Sequence, residues 1–169
     1  MEALLFYSLA AVMVVSSLMV ILRKNPVHSA LFLILTFLCL AGLYLLLNAQ
    51  FIAAIQVIVY AGAIMVLFIF VIMLLNLESE VASKGGHGLQ KFWATVISIV
   101  LAISFVSIMT VKVFTGEKGI FSPETVNAAG NSEVIGRLLF TEFLLPFEIT
   151  SVLLLAAIIG AIVLAKKKL

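Results

Sequence analysis

The chain has 169 residues, 64% of them apolar and only 11% charged, with a formal net charge of +2 at neutral pH. A soluble domain carries about 25% charged and about 45–50% apolar residues, so this composition excludes a water-soluble surface, and the small net charge excludes a basic nucleic-acid interface. A helix crossing a bilayer core about 30 Å thick needs about 20 apolar residues, and this chain has several runs of that length.

The first run, residues 3–22, carries no charge. It follows Met1-Glu2 rather than a basic stretch and exceeds the apolar core of a cleavable signal peptide, so a retained span is expected. In Arg23-Lys24-Asn25-Pro26, Asn25 suits a helix N-cap and Pro26 a first helical position, where its missing N–H costs nothing. No charge then occurs from Ser29 to Leu75. As a single helix that run would reach about 70 Å, more than twice the hydrocarbon thickness. Its internal polar cluster, Asn48-Ala49-Gln50, is the predicted turn of a helical hairpin with spans at 29–47 and 52–75. Residues 76–91 contain Gly85-Gly86-His87-Gly88 and read as a cytoplasmic loop. A fourth span is expected at 92–114 and a fifth at 143–165, with an outer loop over 115–142. Within that loop Asn131-Ser132-Glu133 has the form of a helix start, and Val134, Ile135, Leu138 and Leu139 then share a face, which predicts a short interfacial helix.

The fold class is therefore all-α: a single integral membrane domain over 1–169 with five transmembrane helices. The alternating segments of a β-barrel are absent, as is any internal repeat. Cytoplasmic loops are enriched in Lys and Arg. With the N-terminus outside (periplasmic) and the C-terminus cytoplasmic, Arg23, Lys24, Lys84, Lys91 and Lys166-Lys167-Lys168 lie inside, against Lys112, Lys118 and Arg137 outside.

One cysteine, Cys39, and two histidines, His28 and His87, cannot assemble an iron–sulfur cluster or paired haem ligation. There is no Gly-rich phosphate loop and no nucleophile constellation, so the chain by itself is not expected to be catalytic, to hold a metal or cofactor, or to bind nucleic acid. Among Asp, Glu, Lys and His, Glu148 alone falls at membrane depth, where such groups serve proton or ion pathways. Following Pro146, it is either a carboxylate favoured by the helix N-terminal dipole near the outer interface or a buried carboxylate coupled to a neighbouring subunit.

The third span is the least ordinary. Gln56 and Tyr60 are four apart and on one helical face, to which Ala53 and Ala63 also belong; a polar strip of this kind should meet protein rather than lipid. Ala61-Gly62-Ala63 has two explanations: close packing of small residues on several sides, or tolerance of a backbone irregularity such as a π-bulge, a feature found at functional sites. In the fifth span Ala156 with Gly160, and Ala157 with Ala161 and Ala165, form small-residue rows that permit intimate helix contact.

Asn25-Pro26-Val27-His28-Ser29-Ala30-Leu31, Val59-Tyr60-Ala61-Gly62-Ala63-Ile64-Met65-Val66-Leu67-Phe68 and Phe147-Glu148-Ile149-Thr150-Ser151-Val152-Leu153-Leu154-Leu155 together resemble subunit J of bacterial NADH-quinone oxidoreductase, respiratory complex I. The mitochondrial counterpart is NADH dehydrogenase chain 6. The resemblance covers essentially the whole chain, and the middle motif is the most specific. It implies a non-redox membrane subunit of a proton-translocating enzyme in the bacterial cell (inner) membrane, partnered by the bilayer and other membrane subunits. FMN, iron–sulfur clusters and quinone would then belong to the complex and not to this chain. It further implies a π-bulge in the third span that interconverts with regular helix, making Gln56, Tyr60, Ala61, Gly62, Ala63 and Met65 candidate proton-coupling or gating residues and Glu148 a possible coupling carboxylate. Some relatives carry Glu where this chain has Gln56, which cannot titrate. Two rival readings are a purely structural assembly subunit of the same complex and an independent small membrane transporter.

Overall fold

The computed structural model describes residues 1–75, 88–110, 126 and 129–166. Regular structure among them is entirely helical. Helix α1 spans Glu2–Leu22 and α2 Pro26–Leu46. A continuous rod from Gln50 to Leu74 follows in three parts: α3 (Gln50–Ile55), a π-helix (Gln56–Ile64) and α4 (Met65–Leu74). Then come α5 (Gly88–Thr110), α6 (Asn131–Phe140) and α7 (Leu144–Ala165). Four of these, of 21, 21, 25 and 22 residues, are long and apolar enough to cross a membrane: α1, α2, the Gln50–Leu74 rod and α7. The apolar part of α5, Phe92–Ile108, is shorter. Most of the loop expected at 76–91, His87 included, and residues 111–125 lie outside the described residues.

Hydrocarbon offers no hydrogen-bond partner, so a polar group is favoured to find one within its own helix. The span hydroxyls do so by donating to carbonyls one turn back: Ser16 Oγ to Val12 O (2.6 Å), Thr36 Oγ1 to Phe32 O (2.9 Å), Ser98 Oγ to Ala94 O (2.8 Å), Ser104 Oγ to Val100 O (2.8 Å) and Thr150 Oγ1 to Pro146 O (2.8 Å).

The helix ends follow the local sequence. Asn25 Oδ1 accepts the Val27 N–H (2.9 Å) and the His28 N–H (3.3 Å), with Pro26 at the first helical position, so α2 starts three residues before the apolar run does. At its other end Asn48 adopts φ 58°, a left-handed conformation that asparagine tolerates better than most residues. The Asn48 N–H then reaches Leu45 O (3.0 Å) and the Ala49 N–H reaches Tyr44 O (2.9 Å), the paired bonds of a Schellman ending. That turn reverses the chain where the 29–75 run is expected to fold back.

Helices α1 and α2 form the most extensive pairing. Gly42 lies at a close point of this contact: a Cβ there would lie 3.0 Å from Leu9 Cδ1. On its other side α2 packs along the third rod, where Ala30, Met65 and Ile72 are buried among Val27, Leu33, Ile34, Phe37 and Ile69. Small buried residues, Ser16, Ala30, Cys39 and Ala41, let the backbones approach. In lipid this association rests on van der Waals packing, because the tails are as apolar as the side chains. Among the described elements α7 packs on α6 alone, and none packs on α5.

Candidate functional site

The unusual winding of the third rod is concentrated where its polar side chains are. Through Gln56–Ile64 the backbone is π-helical, and at its end the Met65 N–H bonds to Tyr60 O, five residues back, as well as to Gly62 O. The buried residues record the same change of period. Ala53, Gln56, Ala61 and Met65 are buried, at steps of three, five and four, and the five-residue step spans the π turn.

This corrects the face expected for an evenly wound α-helix. Ala63 is exposed, and Tyr60 is 45% exposed, its ring edge-on to Phe37 with centroids 5.9 Å apart. Widening the turn returns the fifth residue rather than the fourth to the side of Gln56, so Ala61 replaces Tyr60 on the buried face. Gly62 also has a structural explanation. A Cβ there would meet no atom of another described element within 4 Å, but it would lie 3.2 Å from Val57 O, the carbonyl that a π turn brings beneath it. Among the described residues no neighbouring helix approaches this glycine, and the Val57 carbonyl of its own rod is what a Cβ would crowd.

Gln56 is 6% exposed and its side chain forms no hydrogen bond to the described residues. Among the described residues no buried side-chain nitrogen or oxygen is both sealed and unpaired, so the amide reaches an opening in the helix surface. A primary amide offers two donors and an acceptor without changing charge. It can hold a water or a partner's polar group, and it cannot carry a proton as a carboxylate does.

Glu148 is not part of this constellation. It lies in the second turn of α7, beyond the first turn where the helix dipole acts most strongly, and is exposed beside Leu145, Ile149 and Val152. Its carboxylate pairs with no described residue, and α7 does not pack on the third rod. A site residue that sequence reasoning missed is Asn131. Expected to begin α6, it does so and also accepts the Phe51 N–H on its Oδ1 at 3.2 Å, across 80 positions of sequence.

The chain's one cysteine is buried within α2, His28 is exposed, and no group of three His, Cys, Asp or Glu side chains converges among the described residues.

Long apolar rods, side chains exposed around most of their circumference and one π-wound helix built on a neutral amide define a multi-pass helical membrane protein. A family model described as NADH-ubiquinone/plastoquinone oxidoreductase chain 6 matches residues 16–164, and the chain belongs to that family. It is 42% identical over 168 residues to NAD(P)H-quinone oxidoreductase subunit 6 of the Paulinella chromatophora chromatophore, covering 99% of this chain and 80% of the relative. It is 39% identical over 163 residues to NAD(P)H-quinone oxidoreductase chain 6 of Nostoc, covering 96% and 78%. With NADH-quinone oxidoreductase subunit J of Rickettsia bellii it shares 34% over 168 residues, covering 96% and 80%.

Proposed function

We propose that this chain is a core membrane subunit of a proton-translocating NADH:quinone oxidoreductase in a bacterial inner membrane, and that its third span couples quinone reduction to pumping. The observation that carries the reading is the π-wound segment Gln56–Ile64 around a buried, unpartnered amide. A helix wound one residue per turn too wide can return to regular α winding, and an α-helix turns about 100° per residue, so interconversion rotates one half of the rod against the other by about that angle. Rotation carries Gln56 and Tyr60 into or out of line with polar groups of neighbouring subunits, making or breaking a water chain. Flavin, iron–sulfur clusters and quinone supply the redox chemistry from other subunits; this chain supplies the gate and is not catalytic by itself.

The reading includes five crossings with the N-terminus outside. The Asn131–Phe51 hydrogen bond supports it, because residues 51 and 131 then lie at the same membrane face. A third rod that crosses away from that face requires a return before Asn131, and α5, though shorter in its apolar part, lies between them.

Gly62→Leu tests the gate. Its Cβ presses on Val57 O, at an overpacking cost of about 1–3 kcal/mol against the π winding, which is about a 5–150-fold shift between the two windings. In the assembled complex in membrane vesicles, NADH:quinone turnover and proton uptake are expected to fall together. Proton uptake equal to that of the parent would overturn the gating reading.

A further inference from the structure

The N-terminus of the third rod lacks a cap of its own. Ala49, at the capping position, has only a methyl group, and the first intrahelical bond is Ala53 N–H to Ala49 O, which leaves the amides of Gln50, Phe51 and Ile52 to find other partners. A capping side chain ordinarily accepts from the second or third helical amide. Asn131 Oδ1 accepts from the second, Phe51, so the stereochemistry is that of an N-cap supplied from another element.

Asn131 is joined through its own helix to the last span. It begins α6, whose Glu133 and Arg137 pair at 2.7 Å, and α6 is closed onto α7 by the Phe143 N–H to Leu138 O bond (2.9 Å) and by the Phe140 and Phe147 rings, 5.1 Å between centroids. Helix α6 packs on α3 and α7 and on no other described element. It therefore forms a strut from the last span to the outer end of the third.

We propose that Asn131 is a positioning residue that pins the Gln50–Ile55 end of the third rod, so that a change of winding in Gln56–Ile64 turns the Met65–Leu74 end instead. This rests on the winding change proposed above. A rod that rewinds in its middle must rotate one half; the half tied by a hydrogen bond to α6 and through it to α7 stays, and the half packed by side chains alone moves.

The test uses the assembled complex with Cys39 replaced by Ala and a single cysteine at either end of the rod, Ile52→Cys or Leu74→Cys, both at exposed positions. Maleimide labelling rates are compared at rest and during NADH turnover. The expected result is a turnover-dependent rate at Leu74→Cys and an unchanged rate at Ile52→Cys. Adding Asn131→Ala makes Ile52→Cys respond as well and speeds amide exchange across Gln50–Ile55 about fivefold, the size of a lost cap, while Asn131→Asp, which keeps the acceptor, behaves as the parent. Response at both ends in the parent, or unchanged exchange in Asn131→Ala, overturns the pin and leaves the winding change standing. Response at neither end overturns the winding change and the pin with it.

Discussion

At the scale of single residues, Gln56 and Gly62 do opposite things to the same turn. Gly62 leaves room above Val57 O for the wide winding, and Gln56 places an amide on the buried face without giving it a partner in the chain. Because this amide makes no hydrogen bond to the described residues, a similarly sized apolar replacement removes none and should not harm the fold. Gln56→Leu is therefore expected to assemble normally and to match or exceed the parent's thermal stability, while proton uptake in vesicles drops. Normal uptake would show that the amide lines nothing. Both residues stand out in the sequence, one polar and one helix-weakening in an apolar run. The buried face was not legible, because an evenly wound helix returns Tyr60 and then Ala63 to the side of Gln56, whereas the π turn returns Ala61.

Among the elements, what local chemistry decides was legible and what distant contact decides was not. Asn25-Pro26 announces the start of α2, and Asn48 the reversal after it, since both act on amides and carbonyls a few residues away. The left-handed conformation of Asn48 gives a direct test. A β-branched residue pays roughly 1–2 kcal/mol in that region and glycine pays almost nothing. Asn48→Val is thus expected to lower the melting temperature of the detergent-solubilised complex, followed by circular dichroism, and Asn48→Gly to leave it close to the parent; equal melting would mean that the turn bears no strain. By contrast, nothing near Phe51 in sequence foretells that Asn131 caps it, and nothing near Gly42 foretells Leu9. These contacts depend on how the rods come together, which apolar runs of similar composition do not encode one by one.

On the scale of the whole molecule, the chain is far from self-sufficient in its packing. No described residue of α5 or α7 is buried, and Leu153, Leu154, Ile158, Ile162 and Val163 of α7 are all more than half exposed. Lipid can solvate such a surface, but it gains nothing from the rows Ala156/Gly160 and Ala157/Ala161/Ala165, whose small side chains favour a closely approaching helix. No atom of a described element lies within 4 Å of where a Gly160 Cβ would be, so that helix must come from another chain or from outside the described residues. If the row is an interface to a neighbouring subunit, Ala161→Leu overpacks it at about 1–3 kcal/mol, and the NADH-oxidising band on a native gel should weaken by about tenfold or more, with the free chain accumulating. Ile162→Leu, on the same turn and nearly equal in volume, should leave the band unchanged. Loss of assembly confined to α7 variants, with turnover lost but assembly kept in Gln56→Leu and Gly62→Leu, would assign attachment and coupling to different helices of one small subunit. Assembly unaffected by Ala161→Leu would instead put the last span against lipid and leave the α1–α2 pair and the third rod as the surfaces by which the complex holds this chain.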